Sequence, residues 1–176
     1  MTRSTYSYGP HPSQVAELFM PRGSGPFPVA IAVHGGYWRA RFERTLMDGV
    51  CSDLAAHGLA AWNIEYRRVG LGGGWPETFE DAAGASDLLA DVDAPLDLDR
   101  VAAVGHSAGG QLAAWMAARP TLSGDQPGGS PRVIVRSDPT VPLLRSDSIT
   151  ASTDGGSPAI GSPLTIAPES DDVRRT

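Results

Sequence analysis

The sequence predicts an α/β fold, a mainly parallel sheet with helices on both faces, confined to the first two-thirds of the chain. Three observations predict it. Strand-type and helix-type patterns alternate from residue 16 to residue 119. Helical stretches of about 10–15 residues between strands are what parallel crossovers require. The runs 28–33 and 101–104 are continuously apolar, as in strands buried on both faces. Every Trp, Tyr, Phe and His lies between residues 6 and 115, so a packed core can form only there.

Residues 16–20 form a short strand candidate ended by Pro21. Residues 27–33 read as a central strand. Residues 47–57 then place Met47, Val50, Cys51, Leu54 and Ala55 on one helical face, with Gly58 as the C-terminal cap. A second buried strand covers 59–66, followed by a glycine-rich loop, 67–75. Pro76 stands where a helix favours proline, and Glu77, Glu80 and Asp81 suit the positive end of that helix, which runs to about residue 90. Residues 95–99 form the return loop, 100–104 a third buried strand, and 109–119 a helix with Leu112, Trp115 and Met116 inside, stopped by Pro120. Residues 133–135 could add a short sixth strand.

Composition narrows the function. The chain has 14 basic residues, all Arg, against 20 acids, for a net charge of −6, which disfavours a nucleic-acid footprint. With no Lys there is no Walker phosphate loop. Residues 70–75 offer Gly-Leu-Gly-Gly-Gly-Trp, whose last position is not the Gly of a dinucleotide fingerprint. One cysteine, Cys51, precludes an internal disulfide or a cysteine-built zinc site. The aspartates at 87, 91, 93, 97 and 99 lack the Gly and Glu of a calcium loop. No metal and no cofactor is expected. No apolar run is long enough to span a bilayer and no signal-type apolar core follows Met1. The expected location is the cytoplasm, with no membrane partner.

The chemistry concentrates in Gly105-His106-Ser107-Ala108-Gly109. This G-x-S-x-G pentapeptide follows a buried strand and opens a helix, the context of a nucleophile elbow. Only small residues fit two before and two after the serine, because strand and helix pass close by. The turn exposes the Ser107 hydroxyl and turns the Ala108 N–H, at the helix N-terminus, toward a developing oxyanion. A second signal, His34-Gly35-Gly36-Tyr37-Trp38, follows the strand 27–33. An acyl-transfer site needs a second oxyanion donor there, either the N–H of Gly36 or that of Tyr37. His34 fits a role in pinning the loop better than one as proton shuttle.

These stretches, together with Tyr8-Gly9-Pro10, residues 63–68, Gly73-Gly74-Trp75-Pro76 and Phe79-Glu80-Asp81, resemble the α/β-hydrolase superfamily over residues 6 to about 120. Within it the chain is similar to the esterase branch that includes kynurenine formamidase (arylformamidase). The resemblance implies an incomplete α/β-hydrolase fold with Ser107 as nucleophile. It also implies an oxyanion hole from the backbone of Gly36, Tyr37 and Ala108, supported by His34, Gly35, Gly105, His106 and Gly109. The implied substrate is a small ester or an N-acyl or N-formyl amide.

The sequence departs from that pattern after the elbow. The order in this fold is Ser, then Asp or Glu, then His, yet His11, His34, His57 and His106 all precede Ser107. Asp125, Asp138, Asp147 and Asp154 follow it with no strand to place them. The triad acid and His are therefore unassigned. Residues 121–176 are rich in Ser, Pro, Gly, Thr and Asp and read as a low-complexity, disordered tail to the 1–120 domain. Two origins fit: a truncated or frameshifted hydrolase, or a shortened relative with a non-catalytic binding role. In the second case the sheet edge left open could form a homodimer.

Overall fold

A computed structural model describes residues 1–136 apart from Ser123. Five strands form one sheet: β1 (Thr2–Ser7), β2 (Val15–Met20), β3 (Phe27–Val33), β4 (Ala60–Ile64) and β5 (Leu96–Gly105). Their order is β1-β2-β4-β3-β5. β3 lies parallel to both β4 and β5, whereas β2 runs antiparallel to β1 and to β4. The parallel part follows from the crossovers: α1 (Asp48–Ala56) joins β3 to β4, and α2 (Glu77–Asp87) joins β4 to β5. α3 (Ala108–Ala118) follows β5 directly.

Alternation along the strands sends side chains to two cores. Phe19, Ala32 and Ala61 meet Met47, Cys51 and Ala55 of the α1 side. Leu18, Ile31, Val33, Trp62 and Ile64 meet Ala82, Ala85, Leu112 and Met116 of α2 and α3. Helices therefore cover both faces. Trp62 is fully buried, and its indole N–H donates to Ala85 O at 2.8 Å, tying α2 to the sheet. Burial pushes the Cys51 thiol up to about 12, so it is a small apolar core residue.

Several boundaries differ from the sequence expectation. β1 is an added strand, exposed except at Tyr6, whose ring packs on Trp62, and paired residue for residue with β2. On α1 the buried positions are Met47, Cys51 and Ala55, four apart, while Val50 stays 43% exposed. The expected return loop over 95–99 is mostly strand: Leu96 and Asp97 pair with Phe27 and Pro28, and a register shift beyond Pro28 lets Val101 pair with Val29.

The packed chain continues past α3. Arg119 is buried, and its guanidinium donates to Asp87, to Ser86 and to the Gly128 carbonyl. Asp87 also accepts the Arg132 N–H at 2.9 Å. Val133 and Val135 enter the larger core while Ile134 faces out. The Arg136 N–H donates to Val101 O at 2.7 Å, on the outer edge of β5. The Arg136 guanidinium donates to Asp99 O as well, so the expected sixth strand over 133–135 is a core-packed segment joined to β5 by one backbone bond and one side-chain bond. Residues 137–176 of the expected tail lie outside the described residues.

Candidate active site

The elbow is built by close packing. Ser107 has φ +53 and ψ −118, a strained conformation for a non-glycine residue. The glycines around it explain how that strain is held. A Cβ on Gly105 would stand 2.1 Å from Gly109 O, and one on Gly109 would stand 2.1 Å from Val33 O. Strand β5, helix α3 and the end of β3 therefore meet backbone to backbone. His106 N–H donates to Val33 O (3.2 Å), and Gly109 N–H to His106 O (2.9 Å). Ala108 opens α3, so its N–H has no acceptor within the helix.

The loop after β3 is pressed against this elbow. A Cβ on Gly35 would lie 2.4 Å from His106 O and 3.1 Å from the Ser107 Cβ. Gly36, Tyr37 and Trp38 all take positive φ, +115, +53 and +55. The ring of Phe42 packs where a Gly36 side chain would be. Three such residues in a row need external support, and His34 with Glu65 supplies it. His34 is buried, and its Nε2 lies 2.8 Å from Glu65 Oε1 and its Nδ1 2.8 Å from Gly35 O. Its ring stacks on Tyr66 at 4.4 Å, and the Tyr66 hydroxyl donates to His34 O. Glu65 also accepts the N–H groups of Arg44 and Tyr66. Burial alone would raise the Glu65 carboxyl, but the bond from His34 and those backbone donors hold it below its usual range.

Sequence reasoning did not find Glu65, Tyr66 or Phe42 as parts of this site. A buried acid at the carboxyl end of a strand was the available signal for Glu65. Arg67 and Arg68, the other charged residues there, end in ion pairs with Asp81 and Glu65.

Ser107, Gly35, Gly36, Gly105, His106, Ala108 and Gly109 thus converge at the carboxyl ends of β3 and β5, where such sheets place their chemistry. A cavity of about 250 Å³ opens beside them, lined by Trp38, Val69, Trp75, Thr78, Phe79 and Gln111. Gln111 is one turn along α3 from Ser107. Trp75, Phe79 and Trp115 form an edge-to-face row behind the cavity. His106 faces a different groove, with Leu46, Met47, Val50 and Val104.

None of the four histidines stands as a base for Ser107. His34 is bonded at both ring nitrogens, and His106 lines the other groove. His57 caps α1 with its side chain 72% exposed, and His11 accepts the Ser13 N–H. Among the described residues no three His, Cys, Asp or Glu gather as a metal would require. No helix there is long and apolar enough to cross a membrane.

A family model for BD-FAE matches residues 17–126, spanning β2, the Gly35–Trp38 loop, the Ser107 turn and α3. The chain belongs to the BD-FAE family. Its solved structural neighbours are esterases. A phosphonate-inhibited esterase B from Lactobacillus rhamnosis shares 28% identity with a TM-score of 0.66, over 77% of this chain and 46% of its own. A hyperthermophilic esterase from the archaeon Pyrobaculum calidifontis shares 27% identity with a TM-score of 0.60, over 68% of this chain and 40% of its own. A truncated carbohydrate esterase from gut microbiota, at 20% identity and a TM-score of 0.64, shares the fold. No curated protein matches the sequence significantly. The BD-FAE chain therefore has an α/β-hydrolase architecture of the esterase branch, and it spans less than half the length of the first two esterases. The narrower resemblance to kynurenine formamidase is not shown by these likenesses.

Proposed function

We propose that this BD-FAE chain is the nucleophile-bearing part of a serine ester hydrolase, acting on small carboxylic esters and, more slowly, on N-acyl or N-formyl amides. The observation that carries the reading is Ser107 at φ +53, between a strand end and a helix start, with Gly35 so close that a Cβ there would stand 3.1 Å from the Ser107 Cβ. Ser107 Oγ attacks the acyl carbon and gives up its proton. The tetrahedral oxyanion accepts hydrogen bonds from the backbone N–H groups of Gly36, Tyr37 and Ala108. The intermediate expels the alkoxide or amine, which takes a proton. Water then cleaves the acyl-enzyme, returning the hydroxyl to Ser107.

His34, Gly35, Gly105, His106 and Gly109 act as support in this reading. The 250 Å³ cavity beside Trp38 and Gln111 takes part of the substrate. The leaving group takes its proton from the conjugate acid of the base that removed it from Ser107, so both steps depend on that base. None of this chain's histidines supplies it, so turnover is several orders of magnitude below that of a complete triad. What remains is the oxyanion hole, worth roughly 10³–10⁴ over water in such sites.

A fluorophosphonate probe tests this. The expected result is slow labelling, accelerated by added imidazole and absent in Ser107→Ala. Labelling as fast as that of a complete triad would overturn the missing base. Labelling no greater than that of Ser107→Ala, with or without imidazole, would overturn the nucleophile.

A further inference from the structure

Of the chain's twelve aromatic side chains only two are exposed, and both stand at the mouth of the Ser107 site. Tyr37 is 74% exposed and Trp75 is 69% exposed. Val69 and Leu71 are exposed beside them. The two loops that bear these residues are joined: Val69 N–H donates to Trp38 O at 2.8 Å, and Arg39 bridges Val69 in parallel. Trp38, Val69 and Trp75 also line one cavity. The four side chains therefore sit on two joined loops as one apolar rim, with the exposed Arg39 and Arg41 beside it, on a chain whose net charge is −6. Gly70 and Gly72 flank Leu71, so neither chain neighbour carries a side chain that could cover it.

The size and chemistry of the rim select its partner. A large aromatic side chain covers about 150–250 Å² when buried, so the rim offers a few hundred Å². That is the range of functional apolar patches, about 300–600 Å². It falls short of the roughly 800 Å² per partner of a stable protein interface. Indole and phenol rings favour the boundary between an apolar phase and water. We propose that this rim is an adsorption surface for a neutral ester–lipid phase, from which the site draws water-insoluble esters. The substrate class rests on the Ser107 ester-hydrolase reading; adsorption needs no catalysis.

The test uses the full chain carrying Ser107→Ala, mixed with emulsified tributyrin and separated by flotation. The protein is expected to float with the droplets, with its tryptophan emission shifted to the blue. Adding Leu71→Ser lowers the droplet-to-water partition about fivefold and Trp75→Ser about tenfold. Leu46→Ser, which removes an exposed apolar side chain from the other groove, leaves it unchanged. Absence of flotation, or an equal loss in Leu46→Ser, would overturn the rim. Flotation, with no acetyl group transferred from p-nitrophenyl acetate to Ser107 of the parent chain, would support the rim and count against the catalytic reading. Acetylation of Ser107 without flotation would overturn the rim alone.

Discussion

Replacing Gly109 by Ala should unfold much of the site and lower global stability sharply. The added Cβ would stand 2.1 Å from Val33 O and 2.5 Å from His34 O. Both obstacles are backbone atoms of the central strand and of the loop that leaves it, so no rotamer change relieves them. Ordinary overpacking costs about 1–3 kcal/mol, and a double backbone clash belongs at or above the top of that range. Against a total stability of about 5–15 kcal/mol, about 3 kcal/mol is a large fraction. With a urea m-value of about 1–3 kcal/mol/M, the midpoint should fall by roughly 1–3 M. Gly49→Ala is the control: it lies in α1 and a Cβ there meets nothing within 4 Å, so its midpoint should hold or rise slightly. Urea melts followed by circular dichroism read both. A Gly109→Ala midpoint within about 0.3 M of the parent would refute the claim that strand, helix and loop meet backbone to backbone.

Two further outcomes follow from buried charge. Glu65→Gln should cost about 1–3 kcal/mol at neutral pH, because the carboxylate accepts from His34, Arg44 and Tyr66. The folded Glu65 value lies below its ordinary 4.5, so this stabilisation is complete above that pH and is lost as pH falls through the lower, folded value. The gap between parent and variant in urea midpoint should therefore narrow in acid; a gap that widens would contradict the assignment. Arg119→Ala should cost about 3–5 kcal/mol by leaving Asp87 without its buried partner. It should also free residues 124–136, read as faster tryptic cleavage after Arg132; unchanged cleavage would contradict the clamp.

Much of the parallel half of the sheet was legible, and the reason is physical. A run such as Val29–Val33 is apolar because both faces of β3 are covered, and that pattern survives in one sequence. The elbow was legible because close packing demands glycine at fixed spacing. β1 was not, since Thr2–Ser7 is polar and exposed at every position but Tyr6 and becomes a strand only by pairing with β2. Residues 96–99 were read as loop because their acids and the preceding Pro95 disguise a strand end that β3 imposes through a register shift. The His34–Glu65 contact spans 31 residues, a separation no local pattern reports. Glu65 therefore emerged only when β3 and β4 lay side by side.

The most direct measurement of the account is the site of acylation. Incubation with p-nitrophenyl acetate, whose leaving group needs no acid, should acylate Ser107, and the missing base should let that acyl-enzyme persist. Pro120 blocks cleavage after Arg119, so the cleavable arginines that bracket the elbow are Arg100 and Arg132, and trypsin releases residues 101–132 as one peptide for mass spectrometry. The account predicts a lasting acetyl group on Ser107 in that peptide, absent in Ser107→Ala. No acetyl on Ser107, or an acetyl retained in the Ser107→Ala peptide, would contradict it.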